Sequence, residues 1–390
     1  MHIPDIPQKS LGNNYSVALD FADWLTRVRY LSIHGGFECV SASDRAGKMG
    51  DSRTWSILRR MMAKFEDLEQ MALNREGWGL YLPPIVNWLA CPKLKTLQIH
   101  GISERKPGPL ELEPEKCRTA SFTSLRISDY EETPGATSLL LQWPAILTHF
   151  EFGSFYNNPH TMDYPMFERW LLPHQHSLKH IDIGYLSRKG SSRLFNAKLF
   201  PNLEFLQLSR WQMHSDPVQF LSEHSNVLGP SLKTFAWDFS IYDQHSEGWC
   251  DFGEAEANWV RELAECAVSR KSALATIKIQ FTPNSCWGTT EDMGYPWDRM
   301  DTVRDRTLAP NGLDLVYNKP SISKDAWLEY IRTEEADSDA NDTLVDDTAQ
   351  NEQSSAADEQ VNTDILGSEV QRDYQGEDIR GYFIGKSNAS

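Results

Sequence analysis

Residues 178–190 read LKHIDIGYLSRKG, and residues 199–213 read LFPNLEFLQLSRWQM. Each contains one six-residue phrase, LKHIDI from Leu178 and LEFLQL from Leu203: apolar, two variable positions, then apolar, polar, apolar. The last two apolar positions are separated by one residue, the period of a strand that buries alternate side chains, so each phrase predicts a short β-strand. Working outward, the same phrase fits VRYLSI from Val28, LKTLQI from Leu94, FTSLRI from Phe122, LTHFEF from Leu147, LKTFAW from Leu232 and LATIKI from Leu274. From Phe122 to Leu232 the copies begin 25, 31, 25 and 29 residues apart. Residues 313–317 (LDLVY) lack the full phrase and are expected to close the sheet as an edge strand.

Helical spacing precedes several copies, at residues 21–25, 85–89, 167–172, 218–221 and 257–268. Pro92, Pro201 and Pro230 stand just ahead of a phrase, where a missing N–H costs least. A helix, a tight turn and a strand thus form a unit, and right-handed stacking of such units gives a parallel sheet with helices outside. The fold class expected is α/β: an irregular, leucine-rich-repeat-like solenoid, a horseshoe with the sheet on its concave face. Residues 55–68 show helical spacing with no strand phrase beside it, and are expected to be an oversized repeat or an insertion.

Of the 390 residues, 40% are hydrophobic and 24% charged, with 13 Trp, 13 Tyr and 17 Phe, which excludes a wholly disordered chain. The net charge of −17 is uneven. Residues 333–390 carry 15 acidic against 3 basic side chains and only isolated apolar residues, so the domain organisation expected is a solenoid over 1–332 and a disordered acidic tail over 333–390. Within the tail, residues 379–385 (IRGYFIG) are more apolar and could form a short docking motif. No part has the basic surface that nucleic acid or anionic lipid needs. Neither a secretory signal nor an apolar run of about 18 residues is present, so a soluble, cytoplasmic or nuclear protein is expected. The six cysteines are scattered, with no C-x-x-C pair, and read as reduced thiols.

Chemical motifs are sparse. His174, His176 and His180 are the densest ligand-like cluster, but they straddle a turn and a strand phrase and read as solvated turn histidines. Gly381, Gly385, Lys386 and Ser387 miss the phosphate-loop spacing, and Gly50-Asp51-Ser52 has no identifiable His and Asp partners. The expectation is a non-enzymatic protein with no cofactor and no metal. Its partner would be another protein. By strand alternation the outward positions include Gln98, Arg126, Glu151, His180, Asp182, Phe205, Gln207, Asp238 and Lys278, a polar ladder of mixed sign that suits protein recognition. Trp211, Trp237, Phe239, Tyr242, Trp249, Trp287, Tyr295 and Trp297 could form an aromatic rim or cap the stack; for residues 287–300 capping is the favoured reading.

The phrases LKHIDIGYLSRKG, LFPNLEFLQLSRWQM, FAWDFSIYDQHSEGW (235–249) and GYPWDRMD (294–301) resemble the leucine-rich-repeat-like proteins of filamentous fungi classed as F-box or F-box-like. The resemblance spans roughly residues 94–317. It implies a protein-binding solenoid and, as partners, a Skp-type adaptor of a cullin ubiquitin ligase together with a ubiquitination substrate. The F-box itself is not visible: Ile3-Pro4 and Ile6-Pro7 are not followed by the apolar periodicity of three helices before Val28. The other classes considered are a simple scaffold, an enzyme with a pocket in residues 45–78 or 287–300, and a co-regulator acting through the acidic tail.

Overall fold

A computed structural model describes residues 20, 24–25, 27–35, 37, 53–75, 80–102, 110–154, 159–187, 189–213, 218–239, 252–281, 294–320 and 323–329. Two compact units divide the chain, Met1–Ala336 and Asp337–Ser390. All described residues fall in the first; the acidic tail with its 379–385 phrase, the Gly50-Asp51-Ser52 loop and residues 21–23 lie outside them.

The described chain is mixed α/β, built on one ten-stranded sheet. Its strands are β1 (Tyr30–His34), β2 (Gln70–Asn74), β3 (Thr96–Ile102), β4 (Ser124–Tyr130), β5 (His149–Ser154), β6 (His180–Ile183), β7 (Phe205–Ser209), β8 (Thr234–Asp238), β9 (Thr276–Gln280) and β10 (Asp314–Tyr317). Their spatial order is their sequence order, every neighbouring pair is parallel, and β1 and β10 remain as open edges. The eight phrases became β1 and β3 to β9, and residues 313–317 supplied the edge strand.

β2 corrects the expectation of an insertion. Its sequence, LEQMAL from Leu68, is a ninth copy of the phrase. The helix α1 (Arg53–Lys64) stops short of it, and a turn closes between Leu68 N–H and Phe65 O at 3.2 Å. Leu68 satisfies both the helical spacing from Trp55 and the first position of a strand phrase, so periodicity alone assigned it to the wrong element.

One hydrogen-bond pattern makes the repeat. At each strand entry two successive N–H groups reach one carbonyl of the preceding strand: Lys95 and Thr96 donate to Glu69 O at 2.7 and 3.1 Å, and Thr123 and Ser124 to Lys95 O at 2.9 and 3.0 Å. The pattern repeats up to Ala275 and Thr276 on Lys233 O, and a carbonyl oxygen with two lone pairs can serve both. Ahead of the entry, Pro92, Pro201 and Pro230 occupy the second position of turns closed by Leu94 N–H to Cys91 O, Leu203 N–H to Phe200 O and Leu232 N–H to Gly229 O. That position suits proline's fixed φ and asks for no donor. The turn carbonyls find partners in the next unit: Ser121 Oγ donates to Cys91 O at 2.9 Å, Asn202 Nδ2 to His176 O at 2.7 Å and Ser231 Oγ to Pro201 O at 2.6 Å.

Between strands run α2 (Leu82–Trp88), α3 (Pro134–Gln142), α4 (Tyr164–Leu171), α5 (Glu254–Ser269) and α6 (Pro296–Val303), besides shorter 3-10 turns. Thr133 caps α3 and Asp163 caps α4, each accepting a backbone N–H of the first turn. The helical expectations at 85–89, 167–172 and 257–268 match α2, α4 with its 3-10 extension, and α5. That at 218–221 does not: Leu221 is extended and a 3-10 turn, Ser222–Val227, follows it. Four residues after Pro217 are too few to offset helix nucleation.

The core lies on one face of the sheet. Two register rows, one running Leu31, Leu97, Phe150, Leu206, Leu315 and the other Ile33, Ile99, Phe152, Trp237, Ile279, are buried in a single apolar cluster with residues of all six helices. The row between them and the two that flank them are mainly polar, with Ala72, Ala236 and Val316 among their apolar members, and form the opposite face.

Candidate functional site

Register alignment brings the nine expected recognition residues onto that polar face. Gln98, Arg126, Glu151, Asp182, Gln207 and Lys278 stand in one row across β3 to β9. His180 and Phe205 are register partners in the row nearer the strand starts, and Asp238 lies in the row nearer the strand ends.

At the centre of the face, Arg126 Nε lies 3.3 Å from Glu151 Oε1. The His180 ring stacks on Phe205 at 4.2 Å and 2°, and on His149 at 5.6 Å and 25°. Burial first, then the neighbouring His149, Arg126 and Lys278, push His180 down to about 4. At neutral pH its ring is therefore an uncharged stacking surface, and its 4.0 Å approach to Glu151 is not an ion pair. Cross-strand ring ladders of this kind supply area with little rotamer entropy.

The face is not uniformly open. Beyond their first residues, Phe205 and Thr234, β7 and β8 are buried on both sides: Gln207 is 7% and Asp238 6% exposed, and Ser209 and Ala236 are buried beside them. Alternation alone placed Gln207 and Asp238 among the outward positions, and alternation carries no information about what covers a face. The accessible part of the ladder is Gln98, Arg126, Glu151, Asp182 and the rings of His180 and Phe205 on β3 to β7, with Lys278 on β9.

A second polar group lies at the strand ends of β1 to β4; strand alternation already puts His100 on the outward side, whereas its partners follow from register. Asn74 Nδ2 lies 3.3 Å from the His34 ring, His100 Nδ1 2.9 Å from Ser128 Oγ, and Arg75 Nη2 2.9 Å from Asp129 Oδ2. Reading LEQMAL as a strand would have aligned Asn74 with His34 and His100.

The three clustered histidines separate. His176 is exposed and His180 lies on the sheet face, whereas His174 is buried, a correction to its reading as a solvated turn residue. Its Nδ1 accepts the Leu147 N–H at 3.1 Å and its Nε2 donates to Leu141 O at 2.9 Å, so it joins the end of α3 to the start of β5. Among the described residues no three His, Cys, Asp or Glu side chains stand close enough to hold a metal. Cys91 is buried, and burial pushes its thiol up to about 11.

The aromatic residues mostly turn inward. Trp237 packs on Trp259 of α5 at 4.3 Å with the rings tilted by 32°, and Trp237, Phe239, Tyr295 and Trp297 are buried, Trp297 against Phe281 at 5.3 Å. Trp211 is half-buried, its Nε1 donating to Phe239 O. Tyr242, Trp249 and Trp287 lie outside the described residues.

No family model and no curated protein matches the chain. No helix among the described residues is long and apolar enough to cross a membrane. The strand order never reverses, so the sheet lacks the switch point at which doubly wound α/β sheets open a ligand crevice.

Proposed function

We propose that the chain is a leucine-rich-repeat-like solenoid whose polar sheet face recognises another protein, and that it acts as the substrate-recognition arm of an F-box-type ubiquitin ligase. The observation that carries the recognition reading is the unbroken order of ten parallel strands in one register, with the apolar rows on one side and the polar rows on the other. A long, gently polar strand face with charged and ring-bearing side chains suits a partner surface, since interfaces draw their energy from a few ordered anchors surrounded by polar complementarity. Arg126, Glu151 and His180 are the anchors expected here. The ligase role is supported by the resemblance of residues 94–317 to fungal F-box-like proteins. The alternative is a binding scaffold with no ligase attached.

Affinity purification of the full chain from its native cells, followed by mass spectrometry, tests both. A Skp-type adaptor and a cullin at near-stoichiometric levels support the ligase; a different enriched protein without them leaves the scaffold. In either case, changing Arg126→Glu together with His180→Ala should lower recovery of the bound partner by about 10-fold or more, the scale of losing one or two interface anchors. Unchanged recovery would remove the polar face from the reading.

A further inference from the structure

The strand-end group on β3 and β4 uses none of the recognition residues, and its geometry goes beyond binding. Ser128 and His100 are register partners on adjacent strands, 28 positions apart in sequence, with Oγ and Nδ1 separated by 2.9 Å. The β4–β5 register slips between Ile127 and Tyr130, and Asp129 takes a left-handed conformation at φ 53°. Bulges and left-handed non-glycine residues re-aim side chains and are concentrated at functional sites. A cation is built in beside the pair: Arg75 crosses β3 to reach Asp129 at 2.9 Å. It can cross because residue 101 is glycine, at φ 86°; a Cβ there would stand 2.5 Å from Arg75 Cβ and 2.7 Å from its Nε.

We propose that Ser128 is a nucleophile, with His100 as its base, able to accept an acyl group from a small activated ester. In the step, Ser128 Oγ bonds to the carbonyl carbon and its proton passes to His100 Nδ1. Collapse of the tetrahedral adduct breaks the bond to the alkoxy oxygen, which leaves as the alcohol with that proton. Water, deprotonated by the same ring, then releases the carboxylic acid and restores both side chains. Arg75 supplies positive charge near the developing oxyanion, and Gly101 and Asp129 are positioning residues for Arg75. A base of this kind must be uncharged at working pH. Burial lowers the pKa of His100 and so do Arg75 and His34, while Asp129 raises it; the net shift is downward, which leaves the ring neutral at pH 7.

The test is reaction of the full chain with a fluorophosphonate, in which the serine oxygen bonds to phosphorus and fluoride leaves, followed by peptide mapping. A built-in control exists: Ser32 Oγ also lies 2.9 Å from a histidine nitrogen, that of His34, but on a regular strand. The expected result is a single adduct on Ser128, absent in Ser128→Ala and slowed about 100-fold in His100→Ala, the usual scale of losing a general base. Circular dichroism of each variant shows whether it folds. The pH profile of the wild type gives an independent reading: the labelling rate should be level around neutral pH and fall on acidification with a midpoint below that of a free histidine, His100 being the titrating base. Absence of an adduct, labelling of Ser32 or of many serines alike, or Ser128 labelling as fast without His100 overturns the proposal. None of these outcomes bears on partner recovery by the face formed by Arg126 and His180.

Discussion

His174 shows how one side chain can join two units of the sheet and make folding sensitive to pH. It is 1% exposed, and its two ring nitrogens satisfy one N–H and one carbonyl that the neighbouring turns leave over. Burial is the main cause that pushes its pKa down to about 4, with Arg118 adding to the shift. In the unfolded chain the same ring takes up a proton near 6.5, so between about 6.5 and 4 the unfolded state binds more protons and stability falls as the pH falls. The contribution is complete above about 6.5, and roughly 3 kcal/mol is lost by pH 4. His180 is pushed down to the same value and adds in the same direction. Urea unfolding of the wild type at pH 7 and pH 4.5 should show the drop. His174→Gln should flatten its slope and cost about 1–3 kcal/mol at pH 7, through a backbone group left without a partner. An unchanged slope in the variant would place the titration elsewhere.

At the scale of elements, α5 is fixed to the sheet by a buried ion pair. Arg210, directly after β7, donates through Nε and Nη2 to Glu256 Oε1 at 3.0 and 2.8 Å, and Glu256 Oε2 accepts the Gly253 N–H that opens the helix. Removing the carboxylate takes the buried counter-charge from a guanidinium whose side chain is 2% exposed, so Glu256→Ala should cost about 3–5 kcal/mol in chemical denaturation. A loss below 1 kcal/mol would mean that Arg210 finds another acceptor. The strands carry a different kind of term: Leu206→Ala, in the middle of the sheet and fully buried, should cost about 2–5 kcal/mol by lost transfer and cavity formation. These elements were unequally legible. The eight phrases announced their strands because each carries three apolar positions of its own. β2 was hidden because Leu68 also continues the spacing of α1, and β10 was faint because it is one residue short, with Gly312 in place of the leading apolar residue. The polar ladder could be read from alternation, whereas the burial of Gln207 and Asp238 could not.

For the whole described chain, strictly ordered parallel strands mean that each unit is held by its two sequence neighbours, and the end strands by one. Native-state hydrogen exchange should therefore find the slowest amides in β4 to β8 and the fastest in β1 and β10, where one side of the ladder is open. Equal protection of β10 and β6 would show that something else covers that edge. What the sequence by itself determined is the local grammar: the strand phrase, the proline turns ahead of it and the apolar rows, because each depends on residues within one unit and on a period that the chain imposes. What only the tertiary structure decided is which polar side chains meet. Ser128 faces His100, Glu151 lies between Arg126 and His180, Arg75 passes over Gly101, and β7 and β8 beyond their first residues are closed on both faces. These contacts join residues tens of positions apart, and their distances follow from strand register and from the left-handed backbone at Gly101 and Asp129 within β3 and β4. Register is set by the packing of whole units against one another, and no single stretch of sequence contains it.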